Sequence, residues 1–154
     1  MIRAINPMIA IRSVVITGFP DETELDHKNL IDTLKSYKID RLGVFKYSDE
    51  FETSAYKLKN KNQTTIIERR YSEIMRQQQQ ISAENLKKYR GKILKALIDG
   101  KDNNKNIYLA RDEFNAPEID GYIIFKEKKD IDINDFLNIK IVNTNIYDLI
   151  GTLQ

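Results

Sequence analysis

Residues 107–125 read Ile-Tyr-Leu-Ala-Arg-Asp-Glu-Phe-Asn-Ala-Pro-Glu-Ile-Asp-Gly-Tyr-Ile-Ile-Phe. Apolar, strand-forming residues occupy both ends of this stretch, and a polar loop, residues 115–121, lies between them. Pro117 fixes one backbone φ angle, and Gly121 permits a sharp reversal of the chain. The stretch therefore predicts two strands joined by a rigid, presented loop, which is either an ordinary hairpin connection or a recognition surface.

The surrounding half of the chain repeats this strand pattern. Glycine, aspartate and asparagine residues separate five short apolar runs. The runs are residues 92–98, 107–111, 122–126, 137–142 and 147–153. Short strands at this spacing predict a small, closed antiparallel β-barrel of the OB-like kind.

The first half of the chain predicts an α/β arrangement. Residues 9–17 are β-branched and almost continuously apolar, which is typical of a strand buried on both faces of a parallel sheet. Thr23 is a candidate N-cap for a helix over residues 24–37, and residues 42–47 form a second strand. This order predicts a right-handed βαβ unit.

A polar, irregular segment and a long helix from about Thr65 complete the first half. Two parallel strands cannot bury both faces of their sheet without neighbours. We therefore expect the first half to be the end of a larger α/β structure, and to be poorly stable alone before about residue 65.

Composition excludes several classes of chemistry. The chain has 154 residues, a net charge of +2, no cysteine and a single histidine, His27. Disulfides, thiol nucleophiles, cysteine-ligated zinc or iron–sulfur sites, Ser-His-Asp triads and multi-histidine metal sites are therefore excluded. His27 is predicted to be a solvated residue on the surface of a helix. No apolar run is long enough for a membrane helix and no signal peptide is recognisable, so we expect a cytoplasmic protein.

Three segments in one order carry a resemblance to a known family. They are residues 11–24, residues 40–50 and the loop at 115–121, which is preceded by Arg111. Together they resemble the C-terminal part of the radical S-adenosylmethionine methylthiotransferases. The loop resembles the branch that modifies a small-subunit ribosomal protein and not the branch that modifies tRNA.

The resemblance covers essentially the whole chain and implies its architecture. Residues 1–86 would be a C-terminal βαβα fragment of a partial TIM-like radical SAM barrel, and residues 87–154 a TRAM β-barrel domain. The chain departs from the family pattern at three places. Asp21 stands where the family usually has glycine, Asn115 where it usually has aspartate, and residues 51–54 where it usually has Glu-Gly-Thr-Pro.

The resemblance also implies an activity for the intact enzyme, the replacement of an aspartate β-hydrogen by a methylthio group. That chemistry uses S-adenosylmethionine and two 4Fe-4S clusters, whose cysteines lie upstream of the part matched here. Because this chain has no cysteine, we expect it to be catalytically silent alone and to bind none of these cofactors tightly. No catalytic or metal-ligating residue is predicted, and a cysteine-bearing polypeptide encoded upstream is an expected partner.

By position, Ile16, Gly18 and Glu22 match the family's cofactor-binding strand, and Phe45 on the next strand would add aromatic surface. Apolar side chains such as Ile16 can form a wall for a purine face, and Gly18 permits a close approach of the backbone. Glu22 places a carboxylate at the C-terminal end of the strand, where the sites of α/β proteins gather. Core packing and helix capping are the alternative interpretation of all four residues.

For the barrel, the resemblance implies macromolecular recognition by Arg111, Pro117, Glu118 and Asp120. An acidic loop suits a basic partner such as a small-subunit ribosomal protein. Lysine and arginine nearly balance aspartate and glutamate after Lys87, which does not favour a surface that grips phosphates. The alternative function is a stand-alone module that uses only its TRAM-type barrel to hold RNA or a ribosomal protein.

Overall fold

The structure is a computed structural model that describes residues 2–102 and 104–154. Its contacts divide the chain into two compact units. The first is Ile9–Ile81, and the second is Ser82–Gln154 together with the N-terminal residues up to Met8, which include a short helix α1, Ile2–Ile5. The predicted division into domains at residues 1–86 and 87–154 remains a prediction. No helix in the described part of the chain has the length and apolarity needed to cross a bilayer.

The first unit contains the predicted βαβ arrangement. Strand β1, Arg12–Thr17, pairs in parallel with β2, Arg41–Lys46, and helix α2, Glu24–Tyr37, connects them. A 3-10 turn at Ala55–Lys57 follows, and then the long helix α3, Thr64–Leu86, begins.

The N-cap of helix α2 is confirmed. The Thr23 hydroxyl accepts the Asp26 N–H at 3.2 Å, and the Asp26 carboxylate accepts the Thr23 N–H at 2.9 Å. This reciprocal pair satisfies two backbone donors that the start of a helix otherwise leaves unpaired. The pKa of Asp26 is lowered by the hydrogen bond from the Thr23 hydroxyl and by the one from its backbone N–H.

Within residues 2–102 and 104–154, only one face of the β1–β2 sheet is covered. Val15 and Val44 pack with the cluster formed by Leu34, Ile74 and Ile81. The opposite face carries three exposed apolar side chains. Val14 is 60%, Ile16 54% and Phe45 59% exposed. The expectation that β1 is buried on both faces is therefore wrong for this chain, because both helices of the unit contribute their apolar side chains to the same face.

The prediction of a solvated His27 is also wrong. Its side chain is 5% exposed, and its Nε2 lies 2.7 Å from the Glu73 Oε2 on helix α3. His27 precedes Leu34 by two helical turns, so both residues lie on the face of α2 that packs into the unit. The hydrogen bond with His27 is the main cause of the lowered pKa of Glu73.

The second unit contains the predicted barrel. Its strands are β3 Ile93–Asp102, β4 Ile107–Arg111, β5 Ile123–Lys126, β6 Phe136–Thr144 and β7 Leu149–Leu153. They close in the order β3-β4-β5-β7-β6. The closure differs from a purely antiparallel barrel because β5 and β7 pair in parallel. Strand β6 separates them in sequence and runs the other way, so β7 returns in the direction of β5.

Inward-facing residues fill the barrel. Tyr108 and Phe125 are fully buried and stack with ring centroids 5.4 Å apart. The remaining core is aliphatic or small, apart from Tyr89, and includes Ala96, Ile98, Ala110, Ile123, Ile139, Ile141 and Leu149. The barrel thus has its own hydrophobic core, as an independently packed domain requires.

Candidate functional site

The turn after strand β1 is held by a carboxylate. Gly18 has a φ of +79°, and a Cβ placed on it would lie 2.4 Å from the Ile67 side chain. The Glu22 Oε2 accepts hydrogen bonds from the Gly18 N–H and, at 3.1 Å, from the Phe19 N–H. The structure therefore brings Gly18 and Glu22 together, and it uses the Glu22 carboxylate to fix the turn.

Arg70 on helix α3 is a residue of this site that the sequence interpretation missed. Its side chain is only 2% exposed. Its Nη1 donates to the Glu22 carbonyl oxygen at 3.1 Å and lies 3.2 Å from the Glu22 Oε1, and its Nη2 donates to the Glu24 Oε1 at 2.9 Å. The guanidinium groups of Arg69 and Arg70 lower the pKa of Glu24. The two arginines are adjacent on a polar helix, so the sequence offers no signal that only the second one is buried.

Two asparagines hold the same turn from the segment before α3. The Asn62 Nδ2 donates to the Phe19 carbonyl oxygen at 2.8 Å, and the Asn60 Nδ2 donates to the Asp21 Oδ1 at 2.6 Å. Asp21 has a φ of +68° and donates its own N–H to the Asn60 carbonyl oxygen. This left-handed conformation costs free energy for an aspartate, whereas a glycine adopts it without strain. The contacts with Asn60 offset that cost at a position where the resemblance leads us to expect glycine.

Ile16 and Phe45 are neighbours across the sheet and lie on its exposed face. Gly43, on the same strand as Phe45 and opposite Val14, leaves room for the Phe45 ring, since a Cβ there would lie 3.4 Å from the ring and 3.5 Å from Val14. The result is an apolar surface beside the C-terminal ends of parallel strands. Such a surface can form one wall of a site for a planar heteroaromatic group.

Hydrogen bonds within the barrel loop fix its shape. The Asn115 Nδ2 donates to the Gly121 carbonyl oxygen at 2.8 Å, and the Ala116 N–H donates to the Asp120 Oδ2 at 2.7 Å. A Cβ on Gly121 would lie 1.9 Å from the Tyr147 carbonyl oxygen, so only glycine fits there. The loop is therefore built as a rigid unit by Asn115, Asp120 and Gly121.

The tip of the loop faces solvent. Pro117, Glu118 and Ile119 are exposed, and Ile119 is 78% exposed. Arg111 instead donates from its Nε to the Asp99 Oδ1 at 3.0 Å. Of the four predicted recognition residues, Pro117 and Glu118 are presented, whereas Arg111 and Asp120 are engaged within the barrel. Ile119 was missed, although an apolar residue in a polar loop is a usable signal.

The described residues contain no group of three or more histidine, cysteine, aspartate or glutamate side chains arranged to hold a metal ion. The donor set of the chain also does not fit an iron–sulfur cluster, because it has no thiolate to offer. The exposed apolar wall at Ile16 and Phe45, in contrast, has the chemistry that contact with a purine face requires.

Known proteins match this chain over the barrel and over nearly its whole length. Residues 91–153, which contain the barrel strands, match the family model described as TRAM domain. Over nearly all of its length the chain is similar to the C-terminal part of proteins named ribosomal protein uS12 methylthiotransferase RimO. The resemblance seen in the three segments is thereby confirmed.

The relative from Pseudothermotoga lettingae is 41% identical over 99% of this chain and 35% of its own length. That from Clostridium acetobutylicum is 41% identical over 99% of this chain and 34% of its own length. The relative from Lachnoclostridium phytofermentans is 38% identical over 96% of this chain and 34% of its own length. The chain thus spans about a third of the length of the curated relatives it matches.

Proposed function

We propose that this chain is the C-terminal, substrate-recognising portion of a radical S-adenosylmethionine methylthiotransferase that modifies an aspartate of a small-subunit ribosomal protein. The observation that carries the proposal is its similarity to the uS12 methylthiotransferases along both units and not along the TRAM domain alone. The enzyme would act in the cytoplasm, where ribosomal proteins are found.

The α/β unit supports this proposal through its exposed apolar face. Val14, Ile16 and Phe45 expose about half or more of their surface in this chain, which is costly unless another part of the enzyme or a ligand covers them. Further strands of a radical SAM barrel would cover that face. Ile16 and Phe45 would then contact the purine of the cofactor beside the backbone of Gly18.

In this arrangement the chain contributes binding and positioning. Bound S-adenosylmethionine and the clusters supply the radical chemistry, and the cysteines for the clusters come from outside this sequence. Glu22 keeps the Gly18 and Phe19 N–H groups in place, and Arg70 keeps Glu22 in place. None of these residues exchanges a proton with substrate in our proposal.

The TRAM domain would contact the protein substrate through its loop tip. Glu118 offers a negative charge and Ile119 an exposed apolar group on a rigid loop. Ribosomal proteins are basic, so a carboxylate at the tip adds favourable electrostatics during encounter. A rigid loop also loses little conformational entropy on binding.

A complementation experiment tests the enzymatic proposal. The chain is co-expressed anaerobically with the cysteine-bearing portion of the Pseudothermotoga lettingae relative, and methylthiolation of purified uS12 is measured by mass spectrometry. We expect product only when both polypeptides are present. Ile16→Ser should reduce it, whereas Ile133→Ser, which changes an exposed isoleucine of the barrel, should not. Absence of product from the wild-type pair, or modified tRNA instead of modified protein, would contradict the proposal.

The chain alone gives a second readout. After anaerobic incubation with iron and sulfide, we expect neither a cluster absorbance band nor reductive cleavage of S-adenosylmethionine. Appearance of both would refute the view that the cysteines come from elsewhere.

The second candidate function is a stand-alone binding module. The closed barrel with its own core favours it, because such a domain can fold and bind without the first unit. Glu118→Lys should weaken binding of purified uS12 several-fold in biolayer interferometry, and the exposed acid Glu113, changed to lysine, is the matched control. Binding of uS12 by the chain, together with no methylthiolated product in the complementation experiment, would favour the module over the enzyme. Equal effects of the two substitutions would exclude the loop tip as the contact.

A further inference from the structure

An exposed aromatic side chain stands between two acids in the segment that follows strand β2. Phe51 is 74% exposed, and Glu50 and Glu52, its neighbours in sequence, are exposed as well. The segment begins at the C-terminal end of β2, the edge at which the sites of α/β proteins gather. The α/β unit therefore presents an open ring and open carboxylates at this edge.

A hydrogen-bonded turn presents Phe51 to solvent. The Thr53 N–H and the Thr53 hydroxyl both donate to the Glu50 carbonyl oxygen, at 3.3 and 2.8 Å. Phe51 and Glu52 occupy the corner of this turn, and Glu52 has a φ of +68°. Such a left-handed conformation favours glycine. A glutamate is thus held at the corner at some cost in stability.

The same segment already holds one cation with rings and a carboxylate. The Lys61 ammonium pairs with the Asp49 carboxylate and lies 5.5 Å from the ring centroid of Tyr47 and 5.4 Å from that of Tyr56. It also donates to the carbonyl oxygens of Ala55 and Tyr56 at 3.1 and 3.2 Å. Lys61 thereby fixes the shape of the segment and neutralises Asp49.

Glu50, Phe51 and Glu52, here called the Phe51 corner, offer the same chemistry without a cation. The Phe51 ring meets the Tyr56 ring edge-on, with centroids 5.5 Å apart, and most of its surface stays open to solvent. Within residues 2–102 and 104–154, no lysine or arginine pairs with Glu50 or Glu52. The corner therefore has a ring and two carboxylates available for a cation from another molecule.

We propose that the Phe51 corner binds an arginine side chain of a basic protein segment, with the guanidinium stacked on the ring and paired with a carboxylate. A guanidinium is planar, stacks on aromatic faces and donates two parallel hydrogen bonds to one carboxylate. Lys57 and Lys59 follow the turn, so a basic partner is not selected by charge alone. The ring beside the acids is what favours arginine.

This inference rests on the proposed function where it names the source of the arginine. Ribosomal proteins are basic, and the corner would give the α/β unit its own contact with that substrate, in addition to the loop tip at Glu118. Phe51 and Glu52 stand at positions where the chain departs from the family pattern, which has Glu-Gly there. The aromatic contact would therefore distinguish this chain from relatives that keep the usual pattern.

NMR spectra of the isotope-labelled full chain test the arginine site without uS12. On titration with the peptide N-acetyl-Gly-Arg-Gly-amide we expect amide shifts in residues 50–56, and Phe51→Ser should abolish them. A citrulline peptide keeps the shape and removes the charge, whereas a lysine peptide keeps the charge and removes the planar group. Both should shift these amides less than half as much. Equal shifts from all three peptides, or no shift in residues 50–56, would overturn the inference.

Biolayer interferometry with purified uS12 tests the link to the substrate. Phe51→Ser should weaken binding about two- to fivefold, the effect of losing one exposed cation–π contact. Phe136→Ser, which changes a phenylalanine of the barrel that is 62% exposed, is the matched control and should bind as the wild-type chain does.

Glu52→Gly separates binding from stability. It should not lower the midpoint of thermal unfolding, because glycine adopts a left-handed φ without strain, and yet it should weaken binding of uS12. A variant that unfolds at a lower temperature and binds normally would show that Glu52 serves the fold and not the partner.

The outcomes distinguish this inference from the proposed function. Failure of uS12 to bind the wild-type chain, with the arginine-dependent amide shifts present, contradicts the proposed substrate and leaves the arginine site standing. If uS12 binds and both Phe51→Ser and Glu52→Gly retain wild-type affinity, the corner is not a contact and the inference fails, whatever the effect of Glu118→Lys. Equal weakening by Phe51→Ser and Phe136→Ser would also refute it.

Discussion

Replacing Arg70 with alanine should destabilise the α/β unit strongly. The substitution removes a side chain that is 2% exposed and leaves the Glu22 carboxylate, which is 12% exposed, without its cationic neighbour. Breaking a buried ion pair from one side costs about 3–5 kcal/mol. Glu22 keeps two backbone donors, at Gly18 and Phe19, so we expect a loss of about 3 kcal/mol, the lower end of that range.

Urea denaturation followed by circular dichroism measures the change in the free energy of unfolding. Hydrogen exchange with peptide-resolved mass spectrometry then assigns it to a unit, and the loss should appear in peptides covering Arg12–Thr17 and not in barrel peptides. The matched control is Arg69→Ala. Arg69 is adjacent, is 46% exposed, and pairs with Glu24 and Glu73, so water replaces its contacts and little stability is lost.

A double-mutant cycle tests the physical reason. If the cost arises from an orphaned carboxylate, adding Glu22→Gln to Arg70→Ala should give a loss smaller than the sum of the two single losses by about 1 kcal/mol or more. Additive losses, or a loss for Arg70→Ala no greater than that for Arg69→Ala, would refute the reasoning.

Three further expectations concern other parts of the chain. The pKa of Glu73 is lowered chiefly by its hydrogen bond with the buried histidine. Its contribution to stability is therefore present above the unfolded-state pKa and is lost as pH falls through the lower folded-state value. The stability difference between wild type and Glu73→Gln, followed by urea titration at several pH values, should shrink on acidification, and a difference that grows would contradict this. Gly121→Ala should cost about 1–3 kcal/mol because its Cβ meets a backbone carbonyl. Gly100→Ala, where a Cβ meets nothing within 4 Å, should be nearly neutral in thermal melts, so similar losses would exclude the steric cause. Ile16→Ser should change stability by less than about 0.5 kcal/mol because its side chain is exposed, whereas Val15→Ser, on the covered face, should cost more in the same urea assay. The opposite order would mean that the exposed face is covered in solution.

Helices and strands were predictable because the residues within and beside each one follow a sequence pattern that depends on local interactions. The start of α2 followed from Thr23 as a candidate N-cap, and both bounds of this helix agree with the structure. The five barrel strands followed from short apolar runs between turn residues, and all five are present. The parallel closure between β5 and β7 was not predicted, because strand direction within a closed barrel depends on contacts between residues distant in sequence.

Individual polar residues were harder to place. Nothing local distinguishes Arg70 from Arg69, or Asp120 from Glu118, yet in each pair one side chain is held inside and the other faces water. The difference depends on which acceptor or donor a second element brings within reach. His27 was misplaced for the same reason, since its neighbours in sequence are exposed, whereas Glu73 on helix α3 meets its buried ring.

The two sheets of this molecule also differ in how they would behave at high concentration. The barrel closes on itself, so its strands all have two partners, whereas β1 and β2 have only each other in the part of the chain described. Unpaired backbone donors and acceptors along such strands are a template for pairing with another molecule. The charged residues Arg12, Arg41 and Lys46 at the strand ends oppose that pairing. Concentration-dependent self-association of the isolated chain should therefore originate in the first unit and decrease at low ionic strength, where charge repulsion is least screened.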